Sequence, residues 1–362
     1  MKNSLTRREF LAAGALTLLG AAGAGLLNRV GAQGQVEPHL QMDHGSDSME
    51  LNQVSTQGQA APNHQMDHDK DAMAMAVGEV DHQKNGFNPS DILTDFDYGK
   101  LSTLENGQTL REFEITATNK EVEVAPGIVY QAWVYNGRIP GPTIRCTEGE
   151  RIRIHFRNAS DHPHSMHFHG IHTAEMDGVP GTPGMVQPGG SFTYEFDAEP
   201  FGLHLYHCHA APLARHIAKG LYGAFIIDPK EGRPAVDHEF VMVMSGFDID
   251  FDDENDFYAV NAIPFHYQTH PIQIKVGAKV RIYLVNILEF DLLNSFHLHA
   301  NFFHYYPTGT SLSPSEFTDT IMQIQAQRGI LEFSYKYPGL YMFHAHNTEF
   351  AELGWTGNFE VV

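Results

Sequence analysis

Two short stretches set the period of this chain. In "RIRIHFRN" (151–158) apolar residues fall on every second position, and "SFTYEF" (191–196) repeats the alternation. A period of two sends successive side chains to opposite faces of an extended strand, one buried and one wet. Gly/Pro clusters such as "NGRIPGPT" and "QPGGS" separate these stretches. No segment carries a helical period of comparable strength. The pattern predicts an all-β protein of antiparallel sandwich type.

The pattern also occurs twice. "GPTIRCTEGERIRIHFRN" (141–158) is echoed by "HPIQIKVGAKVRIYLVN" (270–286), "HSMHFHG" (164–170) by "NSFHLHA" (294–300), and "FGLHLYHCHAAP" (201–212) by "PGLYMFHAHNTE" (338–349). Two copies of one sandwich therefore follow each other, expected over residues 96–230 and 231–362. The seam falls near "IIDPKEGRPAVDHEF" (226–240), where Pro, Gly and charge cluster. Ahead of them, residues 33–95 read as a disordered, Met/His-rich segment, polar and poor in aromatics. It holds a short repeat, "QMDHGSDSM" at 41–49 and "QMDHDKDAM" at 65–73. Thioether suits Cu(I) and imidazole suits Cu(II), so the repeat can bind copper weakly, or it is a solvated linker.

Composition narrows the function. The chain has 362 residues and a formal charge of −21, which excludes a binder of nucleic-acid backbones. Two cysteines cannot build a disulfide framework. Cys146, in "TIRCTEG", reads as a buried core thiol on a strand. The anomaly is histidine, with 23 in all.

The N-terminus, "TRREFLAAGALTLLGAAGAGLL", pairs Arg7 and Arg8 ahead of a weakly apolar Gly/Ala run. It resembles a twin-arginine export signal over residues 1–32, with Val30 and Ala32 offering small residues for cleavage before Gln33. The mature protein is then expected in the periplasm or outside the cell, without stable membrane insertion.

Many histidines pair as His-x-His: His167/His169, His207/His209, His297/His299 and His344/His346. On a strand, residues two apart share a face, so each unit can present two imidazoles together. In "GLHLYHCHAAPLARHIAKGLYG" (202–223), one of the two cysteines, Cys208, lies at the centre of such a unit. Four units at matching positions of two repeats, one centred on cysteine, resemble the multicopper oxidases. "GLYMFHAHNTEFAELGW" (339–355) is similar to their two-domain, laccase-like members, which are built from cupredoxin Greek-key sandwiches related to copper nitrite reductases. The resemblance covers about residues 110–362.

It implies four coppers per chain. His164, Cys208 and His216 would hold a type 1 (blue) copper, with Leu221 at the non-ligating axial position where relatives carry methionine. His167 and His297 would hold the type 2 copper. His169, His207, His209, His299, His344 and His346 would hold the type 3 pair. An electron at Cys208 would pass along the chain into His207 and His209. Ala345 and Asn294 stand where Cys208 and His164 stand in the first repeat, so only that repeat carries a blue site. Asp177, and more weakly Glu349, match residues that would move protons.

The implied activity is one-electron oxidation of phenolic, aromatic or metal-ion donors, meeting an exposed edge of His216, coupled to reduction of O2 to water. Relatives form homotrimers with clusters between subunits. A copper nitrite reductase is the alternative enzyme, although His167 stands where that family has an aspartate. A copper-sequestering protein without turnover is the non-enzymatic alternative, favoured by the Met/His repeat. The acidic run "FDIDFDDENDF" (247–257) reads as a solvated loop, and His266 and His270 match no ligand motif.

Overall fold

Alternation becomes sheet where it was expected. In the computed structural model, which describes residues 78–362, strand Arg151–Asn158 buries every second side chain, and Ser191–Asp197 pairs with it antiparallel. The export signal and both Met/His repeats lie outside the described residues.

Each repeat is a cupredoxin-like sandwich of two sheets. In the first, one sheet orders Phe96–Asp97, Thr143–Thr147, Tyr222–Asp228, Gly202–His207 and His167–Phe168. The facing sheet orders Lys100–Thr103, Thr109–Ala125, Arg151–Asn158 and Ser191–Asp197, with Ile128–Tyr135 paired on Thr109–Ala125. Phe113, Ile154 and Phe156 meet Ile144, Phe168 and Phe225 between them, and Cys146 lies buried in this core. In the second repeat, a six-stranded sheet runs from Phe257–Val260 to Glu316–Thr318. A five-stranded sheet orders Ile272–Ile274, Thr356–Val361, Gly339–His344, Leu293–Leu298 and Thr320–Ile324. Phe296, Phe343, Trp355 and Phe359 fill that core. Helices are short, and none among the described residues is long and apolar enough to cross a membrane.

A third apolar cluster joins the two sandwiches. It packs Val122, Tyr130, Leu205 and Ile226 of the first against Val243, Tyr283, Val285 and Ile330 of the second. At its edge Arg145 bridges both: Nε lies 2.7 Å from Asp228 Oδ2 and Nη1 lies 2.9 Å from Glu239 Oε2. Arg281 and Tyr283 complete the shell of Glu239 at 3.0 and 2.7 Å. Desolvation would raise the Glu239 carboxyl, but hydrogen bonds from Arg145 and its neighbours hold it down at about 2. Removing one partner from a buried network leaves charge uncompensated. Arg145→Ala is therefore expected to cost about 3–5 kcal/mol, read as a lowered urea midpoint.

Disorder was expected up to residue 95, and here the structure differs. Residues 78–95 form two short helices, His82–Asn85 and Pro89–Ile92, capped by the side chains of Asp81 and Asn88. Val80, Phe87 and Ile92 enter the joining cluster, and Leu93 enters the second core. Its polar composition concealed four apolar residues spaced to reach a surface that exists only after folding.

Candidate metal centres

Strand ends and one short helix bring the sulfur site together. His164 is pinned by paired backbone bonds with Val186, its N–H donating at 3.0 Å and its carbonyl accepting at 2.9 Å. Cys208 follows the end of strand Gly202–His207, and its N–H donates to the Leu221 carbonyl at 2.9 Å. His216 projects from helix Leu213–Ala218. The two Nδ1 atoms stand 3.1 Å apart, and Cys208 Sγ lies 3.3 Å from His216 Nδ1 and 3.7 Å from His164 Nδ1.

Burial, with His216 nearby, pushes the His164 imidazole down to about 3, and burial lowers His216 to about 4. Both rings are neutral and can offer lone pairs. Burial also pushes the Cys208 thiol up, while the N–H groups of Ala210 and Ser165, at 3.5 and 3.4 Å, oppose this. A buried thiol facing two neutral imidazoles fits a copper ion that takes one sulfur and two nitrogens, with the thiol proton released on binding. Leu221 is fully buried beside it and brings no donor atom.

His216 offers no exposed edge, contrary to expectation: it is only 2% exposed. Trp133 covers it, with ring centroids 4.6 Å from His216 and 5.1 Å from His164. His162 in turn lies 4.6 Å from Trp133. Sequence reading passed over both. The signal available was a tryptophan, one of two in the chain, three residues before "NGRIPGPT".

The remaining histidines form two matching sets. Antiparallel pairing sets His167 opposite His207 in the first repeat and His297 opposite His344 in the second. His167 contacts the rings of His169, His207 and His209, and His297 those of His299, His344 and His346, all with centroids 5.0–5.3 Å apart. In each set two Nε2 atoms face each other at 2.9 Å, His169 with His207 and His299 with His344.

Backbone carbonyls fix the tautomers. The Nδ1 atoms of His167, His207, His297 and His344 lie 3.0, 2.8, 3.0 and 2.6 Å from the carbonyls of Asp177, Cys208, Asp319 and Ala345. With Nδ1–H donated outward, each Nε2 lone pair points into its set. Burial holds His169 near 3, helped by His207, and His207 near 4, and it lowers His167, His299 and His344. Without a metal, His169 and His299 can donate Nε2–H to His207 and His344; with that proton gone, each pair offers two nitrogen lone pairs to one point, so these sets fit a metal ion.

Within one chain the sets stay apart. Each metal-capable group draws on one repeat only, and no ring contact or hydrogen bond among the described residues joins the sets. The second repeat lacks a sulfur site: Ala345 is buried where Cys208 lies in the first, and buried Asn294 keeps an unpartnered Nδ2 where His164 lies.

Asp177 stands against the first set. Its Oδ1 is 2.8 Å from His167 Nδ1 and 3.5 Å from Nε2 of His172, a residue the sequence reading missed. The turn is tight: Gly178 has φ +71°, and a Cβ there would meet the Met166 carbonyl oxygen at 2.4 Å. Glu349 lies exposed in helix Thr348–Glu352, and no metal-capable group among the described residues includes it. His266 and His270 stack at 4.6 Å, His266 Nε2 is 2.8 Å from Ser90 Oγ, and His82 meets His266 edge-on. They help fasten residues 78–95 to the second sandwich. In the acidic run, the Asp248 carboxylate accepts the N–H groups of Asp252 and Asp253 at 3.1 Å, which shapes the loop.

Comparison with known proteins agrees with this geometry. Residues 116–232 and 241–362 each match a multicopper oxidase family domain. A solved structure described as a multicopper oxidase is 61% identical, with a TM-score of 0.77, covering 78% of this chain and all of its own. The copper-containing nitrite reductase of Neisseria meningitidis is 30% identical over 254 residues, 65% of this chain and 64% of that protein. The chain thus spans just under two thirds of that relative's length. Copper resistance protein A of Escherichia coli is 37% identical over 147 residues, 40% of this chain and 23% of that protein. With both sandwiches matched in order, this chain belongs to the multicopper oxidase family in a two-domain layout.

Proposed function

We propose that the protein is a laccase-like oxidase that takes single electrons from small donors and reduces O2 to water. One observation carries the reading: eight paired histidines form two matching clusters, and in each a pair of Nε2 atoms meets at 2.9 Å. Copper bound by the sulfur site and the joined sets supplies the one-electron steps, four of which, with four protons, convert O2 into two waters. The chain's own part is to hold imidazoles neutral, to fix their tautomers through carbonyls, and to place Cys208 between His207 and His209. That adjacency links the sulfur site to the first set through a few covalent bonds.

Assembly follows from the separation of the sets. We take His167 and His297 as ligands of one ion, and His169, His207, His209, His299, His344 and His346 as ligands of a pair, so neighbouring subunits must contribute complementary sets. A homotrimer, as the resemblance implies, meets that need. Export by residues 1–32 to the periplasm or beyond, and copper capture by the Met/His repeat, complete the reading.

Asp177 is assigned to orienting His167 and passing protons toward the first set. General acid–base groups contribute about 10²–10⁴-fold. Asp177→Asn is expected to keep copper content and blue absorption while slowing O2 uptake by about a hundredfold. An unchanged rate would remove Asp177 from the proton path.

The nitrite reductase relative supports a second reading, because it is 30% identical over 65% of this chain. Copper per chain and acceptor use separate the readings. About four coppers with O2 uptake supports the oxidase, and about two with nitrite consumption supports the reductase. Bound copper with no turnover on any donor supports sequestration.

A further inference from the structure

One face of the sulfur site is covered by a single side chain, Trp133, and a cleft lies against that side chain. A cleft of about 330 Å³ opens over Trp133, lined also by Asn119, Gln131, His162, Arg215 and Lys219. Trp133 is its floor and rests on both imidazoles of the sulfur site. The cleft's fixed charges are both positive, in a chain with a formal charge of −21. Arg215 forms no salt bridge among the described residues, whereas Arg111, Arg138, Arg145, Arg151, Arg153 and Arg281 are each paired with a carboxylate. Lys219 donates to the Gln131 carbonyl at 2.6 Å and lies 5.0 Å over the Trp133 ring.

Asp161 at the rim, held as a carboxylate by Asn119 and His162, each at 2.7 Å, partly offsets Lys219 but forms no ion pair with Arg215. The acidic run borders the cleft through Phe251, whose ring lies under Arg215 and Lys219. None of its carboxylates lines the cleft. An aromatic floor beside Arg215, which no carboxylate among the described residues pairs, and Lys219 suits a flat ring that carries negative charge.

We propose that this cleft is the electron-donor site and that it selects anionic aromatic donors, phenols bearing a carboxylate, over metal cations. The proposal rests on the donor-oxidising reading above and narrows its donor class. Each donor would lose one electron, and its phenolic hydroxyl would release one proton to solvent. The electron would cross Trp133 and reduce Cu(II) at the sulfur site to Cu(I).

The test is bleaching of the blue band in the copper-loaded, full-length protein without oxygen, so that the final acceptor plays no part. Syringate, its neutral ester methyl syringate, and Fe(II) serve as donors. At low salt syringate is expected to bleach faster than its ester, and added salt is expected to erase the difference. Arg215→Glu is expected to slow syringate about tenfold, to change methyl syringate less than about twofold, and to speed Fe(II). Equal responses of acid and ester to Arg215→Glu, or Fe(II) outpacing syringate at low salt, would overturn the proposal.

A second measurement needs no copper. Syringate is expected to shift the indole N–H resonance of Trp133 and not that of fully buried Trp355. If Trp133 responds but no blue band can be formed, the docking site stands and the sulfur-site reading fails. If the band forms but Trp133 is unaffected by syringate, the proposal fails alone.

Discussion

Cys208→Ser is expected to abolish the blue colour and, with it, oxidation of every donor. The hydroxyl is nearly isosteric with the thiol, but it does not ionise near neutral pH and gives copper no soft ligand. Serine can still accept the Ser165 and Ala210 N–H groups that point at Sγ, so the fold should survive. The two histidine sets keep all their rings and should still take up copper. The variant therefore separates electron entry from acceptor chemistry: visible absorption and donor oxidation vanish together, while copper falls by about one per chain. Retained blue absorption would place the chromophore elsewhere.

Mixing two inactive variants is expected to restore activity. His207→Ala with His209→Ala disables the first set, and His344→Ala with His346→Ala disables the second. Either variant alone should be inert. In a mixed assembly, an intact first set can meet an intact second set across a subunit boundary. With random mixing half of each set is intact, so about a quarter of the sites should work. O2 uptake after co-refolding measures this directly. If both sets served one site within a chain, every chain would carry a defect and no activity would return.

Much of this was legible in the sequence because its chemistry is periodic. Alternation in "RIRIHFRN" and "SFTYEF" marks real strands, and the His-x-His spacing places both rings of each unit in one cluster. Cys146 was correctly read as a core thiol. What stayed hidden depends on contacts between distant segments. Residues 78–95 are polar overall, yet Val80, Phe87, Ile92 and Leu93 find apolar partners across the joined sandwiches. His216 was expected at the surface, but Trp133, from a strand more than eighty residues earlier, covers it. His172 became visible only when the turn at Gly178 set Asp177 between it and His167.

The joint between the sandwiches has a consequence for assembly. Arg145, Glu239 and the shared apolar cluster make it stiff, so one histidine set keeps a fixed bearing relative to the other. When each subunit offers a different face to the next, the contact is heterologous, and the turn per subunit decides whether the chain of subunits closes into a ring or grows into an open filament. A few degrees of slack at the Arg145 joint would accumulate with every subunit added. In such an assembly the salt-bridged joint, itself no part of a metal-capable group, would act as the angular gauge.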